Sequence, residues 1–145
     1  MRLSKLAAPL LITALSAALS VPAVAAELVV IVSSRSPVAQ LRAEQVADIF
    51  LAEVARFPEG GEAVAIDQAI NTPLRNEFYS KVAAKSPALM KAYWTKMIFT
   101  GRGQPPREMG SSAAVRKLVA DNPNMIGYIE RGALDASVKP VLVVH

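Results

Sequence analysis

The apolar positions of this 145-residue chain fall into short runs that alternate between two periods. "LVVIV" (28–32) is an unbroken β-branched run, the pattern of a strand covered on both faces, and "SSRSP" ends it with turn-forming residues. In "AEQVADIFL" (43–51), Val46, Ile49 and Phe50 recur at helical spacing until "RFPEGGE" breaks the pattern. "AVAI" (63–66) predicts a second strand. Leu74, Phe78 and Val82 then mark one face of a helix starting at Pro73, and Leu89, Tyr93 and Met97 mark another starting at Pro87. "FTGRGQPPREMGS" (99–111) reads as a Gly/Pro-rich loop. "SAAVRKLVADN" (112–122) predicts a helix capped by Ser111 or Ser112, and "MIGYI" (125–129) and "VLVV" (141–144) predict two closing strands.

Strands alternating with helices predict a three-layer α/β domain with a mostly parallel or mixed sheet flanked by helices. Ahead of it, Arg2 and Lys5 precede the apolar run "LAAPLLITALSAALSV" and the small residues of "PAVAAE". That order predicts a cleaved signal peptide over residues 1–26, a periplasmic product, and a single domain over 27–145. Cysteine is absent, so burial rather than disulfides must hold the exported domain.

The formal charge of +4 includes the two leader cations; without them 14 basic residues face 12 acidic ones, a net +2. With no Lys/Arg block and no basic strip interleaved with aromatics, the chain is not expected to bind nucleic acid. His145 is the only histidine, so Ser-His, Cys-His and multi-histidine metal sites cannot be assembled within one chain. The glycines of "GRGQPPREMG" follow neither a phosphate-loop nor a dinucleotide pattern, and no cofactor is expected. Asp67, Glu77, Glu108 and Glu130 show no spacing that marks an acid–base pair. The expectation is a binding or interaction protein, not an enzyme.

The most informative stretch is "IDQAINTPLRNEFY" (66–79). A helix opening at Thr72-Pro73 carries Arg75 in its first turn, where partial positive charge makes a cation unfavourable. Either Asp67 or Glu77 compensates it, or a bound anion does. Hydroxyls and N–H groups at Ser33, Ser34, Ser36, Thr72, Ser111 and Ser112, with Arg75, would suit a tetrahedral oxyanion if the fold gathers them in one mouth.

The order of segments resembles the phosphate-binding subunit of bacterial phosphate ABC transporters, a type II periplasmic binding protein. "LRAEQVADIFLAEVARFPEG" is similar to that family's helix ending in Ile-Phe followed by a glycine and a tryptophan-containing turn, with Ala52 at the glycine and Phe57 at the tryptophan. "TPLRNEF" resembles its Ser-Gly-Thr-Arg helix start, and "NPNMIGYIE" its Ile-Gly-Tyr strand. The resemblance implies a single lobe of a fold that elsewhere has two, and adds Asp67 and Asn71 to Thr72 and Arg75; with the serines above, the expected oxyanion site is Ser33, Ser34, Asp67, Asn71, Thr72, Arg75, Ser111 and Ser112. Phosphate or another small oxyanion, and a membrane transporter or sensor, are the partners it implies. The family's Ser-Gly-Thr falls on Thr72, Pro73 and Leu74, which leaves one hydroxyl and removes the N–H at Pro73. An alternative is an interaction module that docks on a membrane partner without capturing a ligand.

Overall fold

A computed structural model describes residues 27–145 and, ahead of them, only Pro9, Ala17 and Ala18. The leader expected over 1–26 otherwise lies outside the described residues. Five strands, β1 (Leu28–Ser33), β2 (Val64–Gln68), β3 (Arg107–Met109), β4 (Met125–Glu130) and β5 (Val138–Val144), form one sheet in the order β3-β2-β4-β1-β5. β3, β2 and β4 are parallel, whereas β1 runs antiparallel to both its neighbours, β4 and β5. The sheet is therefore mixed. That single reversed strand decides which loops share an end of the sheet.

Alternation along β1 divides the core between its two faces. Leu28, Val30 and Val32 point into a cluster with α1 (Ala43–Phe50), α2 (Pro73–Ala83) and α3 (Pro87–Phe99), while Val29 and Ile31 point toward α4 (Ser112–Asp121). All six residues of β1 are buried, as expected for a strand with helices on both sides. On the α4 side, a Cβ at Gly127 would come within 2.6 Å of Val115 Cγ1, so only glycine lets the helix lie this close to β4. On the other side, the Phe78 ring stacks on Tyr128 at 3.9 Å between centroids and meets the Phe50 edge at 4.8 Å.

Two expected elements change. The stretch 99–111 is not all loop, because Arg107–Met109 adds to β2 as the edge strand β3. Three residues beside Gly and Pro carry too short a pattern to read as a strand. In α3 the buried side chains are Met90 and Trp94, while Leu89 is exposed. This helix is apolar around most of its circumference, so its periodicity does not fix which face turns inward.

Ala52, at the position where the resembling family has glycine, adopts φ = 58° just past the end of α1. A left-handed conformation costs an L-residue about 1–2 kcal/mol. Ala52→Gly should therefore raise the stability by about 1 kcal/mol after its larger unfolded-state entropy is subtracted, read as a shift in urea midpoint at constant slope.

Candidate functional site

β2 ends in Asp67 and Gln68, and strand alternation sends these two side chains to opposite faces. Ile66 belongs to the α4 side of the core, so Asp67 enters the aromatic side, where it is 1% exposed. Its Oδ2 accepts from the Tyr79 hydroxyl at 2.6 Å and from Arg75 Nε at 3.4 Å. Its Oδ1 accepts from the Tyr128 hydroxyl and, at 2.8 Å, from the Gln68 amide. Four donors on one carboxylate compensate a group that could not otherwise be buried in charged form.

Burial pushes the Asp67 carboxyl above the usual carboxylate range, and the bonds from Tyr128, Tyr79 and Arg75 pull against that rise. Burial, reinforced by the Asp67 charge, drives both phenols far above their ordinary range. Both tyrosines thus stay protonated and keep donating. Arg75 is 7% exposed, its guanidinium lies 4.9 Å from the Tyr79 ring centroid, and it sits one helical turn before that tyrosine. Its Nε is directed to Asp67, and its two terminal nitrogens have no protein acceptor among the described residues.

The other expected site residues divide by position. Thr72 precedes α2 but does not cap it, since its hydroxyl donates to the Ala69 carbonyl at 2.7 Å. Asn71 holds φ = 66° in the same turn, a conformation its type tolerates. Ser111 caps α4 by accepting from the Ala114 amide, and Ser112 Oγ accepts from Gln68 Nε2 at 3.2 Å. These residues share the carboxyl end of the parallel strands with Asp67 and Arg75.

Ser33 and Ser34 do not. β1 is antiparallel to β4, with Leu28 opposite Glu130 and Val32 opposite Ile126, which puts Ser33 at the amino end of β4. Asp67 is level with Tyr128 in the same sheet, so three residues of strand, roughly 10 Å, separate it from Ser33. There Ser33 is fully buried and its hydroxyl donates to the Ala120 carbonyl at 3.0 Å, tying β1 to the end of α4. The expected single mouth containing Ser33, Ser34, Thr72 and Ser111 is thus not formed. Of the protein partners the sequence leaves open for Arg75, the structure pairs it with Asp67 rather than Glu77, and that pair is buried.

Beside Arg75 opens a cleft of about 620 Å³, within the size range of small-molecule sites. Asp67, Asn71 and Arg75 lie at one side, α3 supplies Lys91, Trp94 and Ile98, and Pro105, Pro106 and Glu108 complete it. Glu108 is pinned by the Ile70 amide, which donates to its Oε1 at 2.7 Å. Among the described residues no cluster of His, Cys, Asp and Glu could hold a metal ion. Sequence reasoning missed Tyr79, Tyr128 and Trp94. Only Tyr79, four residues after Arg75 on the same helix face, left a local signal.

No protein-family model and no curated protein sequence matches the chain. Solved structures do. A phosphate ABC transporter substrate-binding protein from Clostridium perfringens, solved with bound phosphate, superposes with a TM-score of 0.63 at 25% identity over 80% of this chain and 44% of its own. The chain has a PstS-like fold. An ABC-type phosphate transport receptor from Vibrio cholerae matches with a TM-score of 0.63 at 19% identity over 80% of this chain and 45% of the receptor. PstS from Borrelia burgdorferi matches with a TM-score of 0.57 at 14% identity over 79% of this chain and 46% of its own. The chain spans less than half the length of these structures, as a PstS-like single lobe should. They are transport proteins, not enzymes.

Proposed function

We propose that the chain is an exported PstS-like lobe that recognises the anionic head group of a small ligand weakly, through Arg75 at the cleft beside α3. The observation that carries this reading is the state of Arg75. Asp67 fixes Nε and holds the guanidinium beside the cleft, while the terminal nitrogens have no acceptor among the described residues. A guanidinium held in this way offers an oxyanion two donors at little further ordering cost. Phosphate gripped tightly at the helix start is not the expectation. Pro73 has no N–H, Thr72 spends its hydroxyl on Ala69, and the buried Asp67 carboxylate opposes a dianion.

Calorimetry of the leader-free protein with inorganic phosphate and sulfate tests this reading. Weak, salt-sensitive binding is expected, falling about 10- to 100-fold in Arg75→Ala, the range for a hydrogen bond to a charged group. Because that variant also loses a buried ion-pair partner, its fold must be checked by circular dichroism, and Arg75→Lys serves as the milder variant. Equal binding by parent and both variants would remove Arg75 from the site.

Export rests on the "VPAVAAE" junction. Periplasmic protein is expected to begin at Ala26 or Glu27, read by N-terminal sequencing; an intact Met1 on a membrane-bound product would contradict it. A second reading, docking on a membrane transporter or sensor, is favoured by Phe99, which is 91% exposed at the end of α3 beside exposed Ile98. Anion binding absent from the parent, together with partner binding lost in Phe99→Ser, would select that reading.

A further inference from the structure

The cleft beside Arg75 is not shaped for a bare inorganic ion. Its walls are largely apolar, formed by Ile70, Met90, Trp94, Ile98, Pro105 and Pro106, and polar donors occur only at particular points. Ile70 and Ile98 are 59% and 49% exposed, which is costly surface for a monomeric lobe to leave in water. A phosphate ion would gain nothing from these walls, because hydrated anions have no affinity for apolar surface.

Trp94 supplies an independent observation. It lines the cleft, is 6% exposed, and its indole N–H is the one buried side-chain polar atom without a partner among the described residues. A buried donor left unpaired is destabilising, and such an atom calls for a functional explanation. Lys91, on the same helix and also lining the cleft, adds a cation at its rim. Against these stand Glu108, already engaged by the Ile70 amide, and Asp67, whose oxygens are taken by two phenols, Arg75 and Gln68.

We propose that the cleft binds an organic carboxylate with an apolar body, its head group on the terminal nitrogens of Arg75 and the indole N–H of Trp94, and its body along Ile98, Pro105 and Pro106. This inference rests on the anionic role of Arg75 and adds the chemical class of the ligand. A carboxylate fits better than phosphate for two reasons. It is planar, so it can take both terminal guanidinium donors side by side, and it carries a single charge, which the neighbouring Asp67 opposes less. The apolar body accounts for the walls.

The test uses 4-phenylbutyrate as probe, with acetate, 4-phenylbutanol and inorganic phosphate as comparisons, titrated calorimetrically into residues 27–145. 4-Phenylbutyrate is expected to bind at least about tenfold more tightly than either acetate or 4-phenylbutanol, since neither part alone fills the cleft. Ile98→Asp, at an exposed position of α3, should abolish that preference, so that 4-phenylbutyrate binds no more tightly than acetate. Trp94→Phe, which keeps an aromatic body and deletes the N–H, should weaken 4-phenylbutyrate about fivefold or more, with folding verified by its unfolding transition.

Acetate binding as tightly as 4-phenylbutyrate would overturn the inference while leaving the role of Arg75 intact, provided that acetate binding falls in Arg75→Lys. Tight 4-phenylbutyrate binding insensitive to both Ile98→Asp and Trp94→Phe would overturn it by placing the ligand elsewhere. Absence of binding by every anion would overturn both readings. So would a self-associated protein whose assembly buries α3 and excludes the probe, as measured by sedimentation.

Discussion

Replacing Asp67 by alanine should destabilise the domain by about 3–5 kcal/mol, the usual consequence of removing one partner from a buried ion pair. Two buried phenols and a nearly buried guanidinium would be left facing no acceptor. Against a typical total of 5–15 kcal/mol this is a large fraction, and urea unfolding followed by circular dichroism would show it. Asp67→Asn keeps the shape and one acceptor oxygen, and should cost about 1–2 kcal/mol.

The two variants separate the cost of burying a carboxylate from the value of satisfying its partners. Asp67 titrates above its ordinary value of 3.8 because burial disfavours its charge. The folded state therefore holds the proton more tightly than the unfolded state. Stability from this group is fully present below 3.8 and is lost as pH rises through the higher folded value. Asp67→Asn should flatten that part of the pH profile. A profile rising with pH over the same window in the parent, and flattened in Asp67→Asn, would mean instead that Arg75 and the phenols outweigh burial.

Phe78→Ala is expected to be as severe, at about 3–5 kcal/mol, because the ring is fully buried and is clamped between Phe50 and Tyr128. Its consequence reaches the site. The ring stacked at 3.9 Å on Tyr128 fixes the phenol that donates to Asp67, so a cavity there loosens the carboxylate and, through it, Arg75. Phe78→Leu should recover part of the stability but less of the anion affinity. Thermal unfolding and calorimetry on the same samples would check both effects; affinity recovered in full with stability would detach the aromatic stack from the site.

Much of the fold was legible in local patterns. The unbroken β-branched run at 28–32 announced a two-sided strand, Thr72-Pro73 and Ser86-Pro87 announced helix starts, and Ser111 or Ser112 was placed as a cap that Ser111 provides. Strand direction was not legible, because side-chain alternation reads the same both ways along a strand. That is why Ser33 and Ser34, grouped with Thr72 from the sequence, lie at the far end of the sheet. The Asp67 network was hidden for a different reason: Tyr128 is 61 residues away, and nothing local marks a buried aspartate that accepts from two phenols. The edge strand at Arg107–Met109 exists only because β2 offers it a parallel partner.

The most direct test of an anion site at Arg75 beside Trp94 is the indole N–H resonance of Trp94. As the only tryptophan of the chain, Trp94 gives a single indole cross-peak in a proton–nitrogen correlation spectrum. Saturating 4-phenylbutyrate should move that proton downfield as the unpaired donor gains an acceptor, with the same titration midpoint as the calorimetric isotherm, and Arg75→Lys should shift the midpoint to higher concentration. An indole peak that stays in place while heat of binding is still observed would contradict the account.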